Sequence, residues 1–480
     1  MSKEEKEPKP KIKHRAGSNG FGGDASEQIA DNKFAFYSEL QRKLTGAPFL
    51  YQESIFDGEY MIFPMPRPPW KLATIPIEYT NPEQLYDIIR AYIVDHLYLP
   101  NEELYDVLTA WAFATWIPEA WVSVPYLFFF GVLSSGKTRG LEVLERICYR
   151  SILSANFSTA GLFRASELWH PTIFLDETEV YNQETRQDII SLLNCGYRKG
   201  QYVHRLRRTE TGHELETFDV FGFKALAGTK SMRDTLESRS IIITMLPSPK
   251  PVRRQIDEVA ALDIRNRLLG FRLEKLAKMD VSVNLVNAVN PISCIGVSPL
   301  DFGDGRLEEL FDCLLRVAPK GHENIRAYAL KTFEKKVRDR KSSMEAEVVG
   351  ILVEEGFDEV EGFILTKTVK DKLIAEKGWD KKTRTQTVGS IFGRLGYEKE
   401  HRREGNGWKI EVDKVKYHME YYETQLYVKQ GSQGSQGSQD IDQMLQPQPL
   451  NESTPSSKDE SVGAKKAAEK LKNLREMKTE

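Results

Sequence analysis

The sequence feature that most constrains the fold is a glycine-rich motif that follows an apolar, aromatic strand pattern. Residues 125–130 read Pro-Tyr-Leu-Phe-Phe-Phe, and the next eight residues fit G-x-x-x-x-G-K-[ST] without deviation. Those residues are Gly131, Val132, Leu133, Ser134, Ser135, Gly136, Lys137 and Thr138. The glycines let successive N–H groups face one anion, and a helix that begins near Lys137 adds its positive end. Because the motif lies between a strand and a helix, it predicts a phosphate-binding loop rather than a chance glycine-rich turn.

An acidic motif downstream supplies the groups that hydrolysis at such a loop requires. Residues 171–179, PTIFLDETE, form an apolar strand pattern that ends in Asp176 and Glu177. We expect Lys137 to reach the β- and γ-phosphates of ATP and the Thr138 hydroxyl to bind Mg²⁺. Asp176 would hold Mg²⁺ through water from a neighbouring strand, and Glu177 would polarise the attacking water. The alternative is a strand end with solvated acids, which a P-loop about forty residues upstream disfavours.

The alternation of strand and helix patterns predicts the architecture. Apolar strands alternate with helical stretches between residues 125 and 250, as in a parallel sheet covered on both faces. The predicted fold class is therefore α/β, with a P-loop parallel sheet and helical flanks, plus a small C-terminal winged helix-turn-helix domain. The predicted segments are a disordered tail (1–33), a mixed and helical region (34–124), the P-loop core (125–250), a helical region (251–342), the winged helix (343–418) and a low-complexity linker with tail (419–480).

Composition and charge indicate where the protein is located and how it can bind a partner. The formal net charge is -3 over 480 residues, so any nucleic-acid affinity must come from local patches. The four cysteines form no CxxC pair, and the eight histidines complete no zinc spacing. No apolar run is long enough for a membrane span, and the charged N-terminus lacks a secretion-signal core. We expect a cytoplasmic protein without a membrane partner.

The segment predicted to be a winged helix carries a local basic excess. Residues 363–416 hold 14 Lys and Arg against 8 Asp and Glu, in an acidic protein. Its helix-turn-helix pattern is followed by two strands with a predicted turn at Gly405-Asn406-Gly407. We expect DNA contacts from the start of the second helix and from the hairpin, namely Lys381, Lys382, Arg384, Arg402 and Arg403. The alternative is a winged helix that contacts protein.

A second basic segment lies between the acidic motif and the next strand of the core. Residues 201–220 alternate as a hairpin, and Arg205, Arg207 and Arg208 make one arm strongly basic. The hairpin resembles those with which several helicase-type rings place basic residues in the pore, and this resemblance implies a grip on a DNA backbone by charge. The alternative is a solvated edge hairpin that its charges protect.

Two residues near the end of the core have candidate roles in hydrolysis. Thr229 follows the strand pattern "FKALAG", where a side chain can contact the γ-phosphate or the water. Arg239, in "LESRSIII", lies where an arginine can reach a neighbour's nucleotide and stabilise transition-state charge. A surface salt bridge is the alternative for Arg239, and Arg233 is the second candidate for the finger.

The order of these motifs resembles the AAA+ ATPases. "LESRSIII" is similar to the L-x-S-R-F-D region of minichromosome-maintenance helicases, where the arginine acts in trans. Residues 125–246 resemble P-loop proteins of phages and mobile elements that are described as primase- or helicase-like. The matching residues are Leu153-Ser154-Ala155-Asn156, Leu162-Phe163-Arg164, Leu192-Leu193-Asn194 and Gly196-Tyr197-Arg198. The segment around Thr229 departs from the family, because "AGTKS" has no asparagine at the sensor position.

The resemblance implies ATP and Mg²⁺ as cofactors, DNA as a partner and a homo-oligomer, in the form of a ring. The predicted function is an ATP-hydrolysing DNA motor or replication initiator of helicase type, from a phage, plasmid or integrated element. One alternative is an ATP-switched DNA-binding regulator or partitioning protein with slow hydrolysis. Another is a loader ATPase that remodels a protein. The helix-forming tail at residues 463–478 either docks on a replication protein or is a solvated end.

Overall fold

The computed structural model describes residues 11–422, except residues 16, 22–23, 57–59, 80, 155–157, 177–182, 210–211, 232–233, 250–251, 279–299 and 301. The chain divides into two compact units, residues 1–343 and 344–480. None of the helices in the described ranges is both long and apolar enough to span a bilayer.

Two small sheets begin the first unit. Their elements are β1 (Lys11–Arg15), β2 (Gly17–Phe21), β3 (Asp24–Ile29), β4 (Lys33–Tyr37), α1 (Glu39–Thr45), β5 (Phe49–Gln52), β6 (Ile55–Phe56) and β7 (Tyr60–Pro64). Strands β2 to β5 form an antiparallel sheet in sequence order. In the other sheet, β7 pairs in parallel with β1 and antiparallel with β6.

The strands before residue 30 differ from the disordered tail that the polar sequence predicts. Strand β3 ends in buried residues, among them Glu27 and Gln28. The Glu27 carboxylate accepts a hydrogen bond from the Tyr149 hydroxyl at 2.8 Å and pairs with Arg150 at 2.7 Å. These partners lie 122 and 123 residues further along the chain. The polar composition of this segment predicts disorder. The prediction fails here because composition does not show that a charged residue such as Glu27 has partners far along the chain.

Two helices connect these sheets to the core. They are α2 (Pro82–His96) and α3 (Glu103–Thr115), and a 3-10 turn at Pro118–Ala120 follows them. Asn81 caps the start of α2, since its Oδ1 accepts from the N–H groups of residues 83 and 84 at 2.9 and 3.3 Å, and Pro82 is the first helical residue. Helix α3 is buried on all sides and packs Trp111 edge-on against Phe174 and Phe223.

A five-stranded parallel sheet flanked by helices forms the core of the first unit. Its segment contains β8 (Tyr126–Phe130), α4 (Lys137–Glu145), β9 (Ile152–Ser154), α5 (Thr159–Trp169), β10 (Ile173–Leu175), α6 (Gln183–Cys195), β11 (Tyr202–Thr209), β12 (Gly212–Asp219), β13 (Lys224–Gly228), α7 (Asp234–Glu237) and β14 (Ser240–Thr244). The strand order is β14-β8-β13-β10-β9, and β11 and β12 form a separate two-stranded hairpin. Alternate residues of β8 face two different layers, since Leu127 and Phe129 join one apolar cluster and Tyr126 and Phe128 another.

Three further helices lie in the described part of the first unit after β14: α8 (Glu258–Lys278), α9 (Gly305–Val317) and α10 (His322–Lys341). Helix α8 packs closely against an extended segment, because a Cβ on Gly270 would lie 2.0 Å from the Ile77 carbonyl oxygen. On the same helix, Arg272 is 1% exposed and pairs with Glu119 at 2.8 Å. Helix α8 is thereby fixed to the segment that precedes β8.

The second unit is a small α/β assembly. Its elements are α11 (Met344–Glu354), β15 (Gly362–Leu365), α12 (Thr366–Glu376), α13 (Thr385–Arg394), β16 (Glu398–Arg402), β17 (Gly405–Ile410) and α14 (Val412–Tyr422). Strand β17 lies between β15 and β16, antiparallel to both. The predicted turn at residues 405–407 is wrong by two residues, because the chain turns at residues 403–404 and Gly407 lies within β17. A Cβ on Gly407 would lie 2.3 Å from the Phe363 ring, so this glycine serves close strand packing rather than the turn.

Candidate functional site

The loop Gly131–Thr138 connects β8 to α4 at the carboxyl edge of the parallel sheet. Ser134 and Gly136 have left-handed backbone conformations, with φ of 61° and 89°. Lys137 is the first residue of α4, and Gly136 precedes it as the N-cap. A Cβ on Gly131 would lie 2.4 Å from the Met245 carbonyl oxygen. The loop therefore curls over the end of β14 and needs glycine at its base.

Two side chains inside this loop are arranged for a ligand. Ser135 is buried, and its hydroxyl has no hydrogen-bond partner among the described residues. Leaving such a hydroxyl unpaired costs about 1–3 kcal/mol, which a bound acceptor offsets. The Lys137 ammonium donates to the Val132 carbonyl oxygen at 2.7 Å, so the lysine lies back across the loop. Val132 and Leu133 form the exposed outer side of the loop.

The residue after the loop's threonine, Arg139, fixes the loop helix to other parts of the unit. Arg139 Nε donates to the His96 carbonyl oxygen at 3.2 Å, and its Nη2 donates to the Arg253 carbonyl oxygen at 2.7 Å. His96 Nε2 in turn accepts from the Asp257 N–H at 3.1 Å. The sequence analysis missed Arg139, and the only signal for it was its position one residue after the P-loop motif.

The acidic motif lies at the same edge of the sheet, but its strand is not next to the P-loop strand. Strand β13 lies between β8 and β10, and the register pairs Leu226 with both Phe128 and Leu175. The prediction of a neighbouring strand is therefore wrong by one strand. Strand order is set by the crossover connections, which the sequence pattern does not reveal. Asp176 follows Leu175 and is half-buried at the carboxyl edge.

The inserted strand brings Thr229 to the same edge. Gly228 ends β13 and pairs with Phe130, the last residue of β8. Thr229 therefore follows β13 at the level where the P-loop follows β8, and it is exposed. Glu177, the predicted base, and Arg233, the second candidate for the finger, lie outside the described residues.

The donor types at this edge fit Mg²⁺ and a nucleotide phosphate. Thr138 offers a hydroxyl at the start of α4, and Asp176 offers a carboxylate. Mg²⁺ prefers oxygen ligands and commonly takes only one or two from the protein, with phosphate and water completing its shell. Among the described residues, no group of three or more His, Cys, Asp or Glu side chains is arranged for a metal. The unpaired Ser135 hydroxyl and the positive end of α4 fit the phosphate.

Arg239 lies at the opposite edge of the same sheet. It directly precedes β14, which runs parallel to β8 with Ser240 opposite Tyr126. The Arg239 carbonyl oxygen accepts from the Tyr126 N–H at 3.0 Å. Five strand residues at about 3.3 Å each separate the two edges by roughly 15 Å. Arg239 is therefore far from the P-loop of its own chain.

The surroundings of Arg239 differ from those of a surface salt bridge. Its guanidinium lies 4.8 Å from the centre of the Tyr197 ring and donates to the Thr235 carbonyl oxygen. Its Nε is buried and has no hydrogen-bond partner among the described residues. Among the side chains that the structure describes, no carboxylate pairs with this arginine.

The hairpin β11–β12 carries its three arginines in different settings. Arg205 pairs with Asp188 of α6, and its guanidinium lies 5.0 Å from the centre of the Phe163 ring, so it fixes the hairpin to the core. Arg207 pairs with Glu216 at 3.2 Å. Arg208 is exposed opposite His213. The basic strand β11 is thus paired with the acidic strand β12, whose charges the sequence-based prediction did not take into account.

In the second unit, the predicted basic residues are mostly exposed. Lys381, Lys382 and Arg384 precede α13, and Arg384 is its N-cap. Arg403 is exposed in the turn between β16 and β17, whereas Arg402 pairs with Glu400 at 3.0 Å and lies over the Phe363 ring at 4.2 Å. Arg403 is therefore the less restrained of the two hairpin arginines.

Comparisons with known proteins find similarity only among solved structures. No protein-family model matches the chain, and no curated protein matches it. The JCV helicase is 18% identical over 57% of this chain, at a TM-score of 0.23, and its complex with a thiazolopyridine acetamide is 16% identical over 57%, also at 0.23. A structure of Drosophila ORC bound to DNA is 12% identical over 70% of this chain, at 0.18. The alignments cover 65%, 66% and 91% of those three chains, so about a third of each helicase chain is left uncovered.

Proposed function

We propose that this protein hydrolyses ATP at the Gly131–Thr138 loop and uses the energy to act on DNA, as a helicase-type motor or replication initiator of a phage, plasmid or integrated element. The observation that carries the proposal is the loop itself. It opens a helix at the carboxyl edge of a parallel sheet and holds a buried, unpaired Ser135 hydroxyl. An oxygen-rich anion satisfies both features.

The residues at the carboxyl edge then divide the work. Lys137 would exchange the Val132 carbonyl oxygen for the β- and γ-phosphates. Thr138 and Asp176 would hold Mg²⁺, which supplies neutralisation of the phosphate charge. Glu177 orients and deprotonates the attacking water. Thr229, level with the start of the P-loop, senses the γ-phosphate or the water.

The position of Arg239 supports an oligomer. An arginine at the amino edge, roughly 15 Å from its own carboxyl edge by strand length, serves the nucleotide of another copy rather than its own. Copies that place the amino edge of one on the carboxyl edge of the next are joined head to tail. Such contacts form a ring if the rotation closes.

We assign duplex DNA binding to the second unit, read as a winged helix. Its order of helices and strands places α13 and the β16–β17 turn together in one small domain, and both carry exposed basic residues. Lys381, Lys382 and Arg384 enter the groove with the start of α13, and Arg403 meets phosphate. The proposed replication partner binds the tail at residues 463–478, which lies outside the described residues.

Turnover with and without DNA tests the proposal. ATP hydrolysis is measured on the full chain alone, with single-stranded DNA and with duplex DNA, and Lys137→Ala is the control. Mg²⁺-dependent turnover that DNA stimulates supports the motor. Absence of hydrolysis in the assembled wild-type protein overturns it.

An ATP-switched DNA-binding regulator is the second candidate, and the hairpin favours it. Because Arg205 and Arg207 are already paired with acids, the hairpin offers less free charge to a DNA strand than a motor's grip requires. Slow turnover that DNA leaves unchanged, together with an ATP-dependent change in oligomeric state, selects the regulator.

A further inference from the structure

Three arginines surround one tyrosine at the amino edge of the core sheet. The guanidinium groups of Arg239 and Arg306 lie 4.8 and 4.9 Å from the centre of the Tyr197 ring. Arg306 and Arg198 also form side-chain hydrogen bonds with the Tyr197 phenol. These four residues, Arg198, Tyr197, Arg239 and Arg306, are called the Tyr197 cluster below.

The cluster has more positive charge than its carboxylate partner balances. Glu309 pairs with Arg306 at 3.4 Å and with Arg198 at 3.7 Å, and among the described side chains it is the carboxylate paired with these arginines. Guanidinium groups held this close repel one another, because arginine stays protonated in proteins. The buried, unpaired Arg239 Nε adds a donor without an acceptor. An anion that contacts the exposed guanidinium nitrogens relieves the repulsion.

The arginines also act on the phenol of Tyr197. Burial raises the pKa of the Tyr197 phenol, but the hydrogen bond from Arg306 and the charges of the arginines outweigh it, so the pKa is lower than usual. The hydrogen bond to Tyr197 likewise raises the pKa of Arg306.

The backbone holds the cluster in a fixed place beside the start of β8. The Val124 N–H donates to the Tyr197 carbonyl oxygen at 2.9 Å. A Cβ on Gly196 would lie 2.4 Å from the Val220 carbonyl oxygen and 2.7 Å from Lys224 Nζ, so residue 196 must be glycine. This gives a physical reason for the Gly-Tyr-Arg run at residues 196–198, which the proposed function leaves unexplained.

We propose that the Tyr197 cluster binds the terminal phosphate of ATP held by the P-loop of a second copy of this chain, with Arg306 and Arg198 acting beside Arg239. The inference rests on the head-to-tail ATPase proposed above. Arg239 and Arg306 donate to the phosphate oxygens as charge builds on them during hydrolysis. Tyr197 is a positioning residue, since its ring and hydroxyl set where the guanidinium groups lie.

The test compares Arg306→Ala and Tyr197→Phe with Arg316→Ala, a control on the same helix whose arginine pairs with Asp312 one turn away. ATP turnover, the Kd of a fluorescent ATP analogue and the Tm are measured on the assembled full chain. We expect Arg306→Ala to lower kcat about a hundredfold, as loss of one preorganised donor does. Tyr197→Phe is expected to lower it about tenfold, for one lost hydrogen bond. The nucleotide Kd, the Tm and the Arg316→Ala control are expected to stay at wild-type values.

Mixing identifies the copy on which Arg306 acts. When Arg306→Ala is co-assembled with Lys137→Ala, the intact P-loop of the first variant faces the intact cluster of the second, so turnover recovers in part. No recovery with confirmed co-assembly, or a Tm that falls with kcat, overturns the proposal. Wild-type turnover in Arg306→Ala beside an inactive Arg239→Ala also overturns it but leaves the ATPase. An assembled wild-type protein without turnover overturns both.

Discussion

Glu27 and Arg272 are 245 residues apart in sequence and meet inside the first unit, with Glu27 Oε2 3.4 Å from Arg272 Nε. Arg150 places its Nη2 2.7 Å from the other oxygen of the same carboxylate. A strand near the N-terminus thus pairs with two arginines, the mostly buried Arg150 after helix α4 and the buried Arg272 on helix α8. These charged side chains connect β3 to helix α8 and to the segment after α4, a contact that the sequence pattern does not predict.

Glu27→Gln is expected to destabilise the protein by about 3–5 kcal/mol, because it leaves the mostly buried Arg150 without its carboxylate and Arg272 with Glu119 alone. The control is Glu78→Gln, which removes the partner of the partly exposed Arg42 and should change stability by less than about 0.5 kcal/mol. Urea unfolding of both variants measures the difference. Equal midpoints for Glu27→Gln and the wild type would mean that other groups neutralise the two arginines.

Lys137→Ala is expected to abolish ATP hydrolysis and leave the Tm unchanged. The lysine contacts a loop carbonyl at 2.7 Å and is not part of the apolar core, so its loss removes charge facing the phosphates without removing packing. The measurement is turnover beside a thermal melt, with Lys278→Ala as a surface-lysine control. Wild-type turnover in Lys137→Ala would remove the P-loop from the chemistry.

The buried Lys224 gives the first unit a predictable pH response. Lys224 is 1% exposed and donates to the carbonyl oxygens of Val220 and Gly222 at 2.7 and 2.8 Å. Burial lowers its pKa from 10.5 to about 7. Two acceptors match the two N–H groups of a neutral amine.

Because the folded pKa lies below the unfolded one, the unfolded chain binds the extra proton between pH 7 and 10.5, and stability from this site rises with pH across that window. Lys224→Met removes this slope, which cannot exceed about 1.4 kcal/mol per pH unit for one proton. The measurement is the Tm difference between wild type and variant from pH 6.5 to 9.5. A constant difference would show that Lys224 remains charged when folded.

The two hairpin arginines of the second unit are expected to differ in DNA binding. Arg403→Ala should weaken duplex binding and reduce the salt slope by about one, because the residue is exposed and free to meet phosphate. Arg402→Ala should have a smaller effect, since Glu400 and the Phe363 ring already hold that side chain. Arg394→Ala, whose arginine pairs with Glu345, is the charge-matched control. Anisotropy titrations with duplex DNA at several salt concentrations measure the affinities. Equal losses of affinity in all three variants would mean that only the net charge of the unit matters.

The hairpin β11–β12 carries one arginine with a structural role, Arg205, and one that is a candidate DNA contact, Arg208. Arg205→Ala is expected to lower stability by about 1 kcal/mol, through loss of the half-exposed pair with Asp188. Arg208→Ala should leave the Tm unchanged and reduce DNA stimulation of ATP turnover. Full DNA stimulation in Arg208→Ala, at an unchanged Tm, would support a hairpin that only protects an edge.

Local features of the fold were predictable, and long-range ones were not. The glycine-rich loop follows directly from the spacing of Gly131, Gly136 and Lys137 after an apolar strand. Strand order was not accessible, because nothing in the segment around Thr229 shows that β13 inserts between β8 and β10. The strands near Glu27 were missed for a related reason, since their polar residues are stabilised by partners more than a hundred positions away.

The candidate site shows the same division. Residue types and spacing predicted that Asp176 and Thr229 each follow a strand, and the register puts both strand ends at the carboxyl edge of the sheet. No local pattern reveals that Tyr197 and Arg306, on either side of a 21-residue stretch at 279–299, come together. The Gly-Tyr-Arg run was visible in the sequence, but its role needs the contacts of Gly196 with a distant loop.

The opposite edges occupied by Arg239 and the P-loop also affect how activity scales with assembly. If each site combines the loop of one copy with the arginines of the next, an open row of n copies contains n − 1 complete sites, and a closed ring contains n. Turnover per copy then rises with the length of the row and becomes constant once the ring closes. In such an assembly the concentration of the protein itself would be part of its rate law, and dilution would lower turnover per copy without any change in nucleotide affinity.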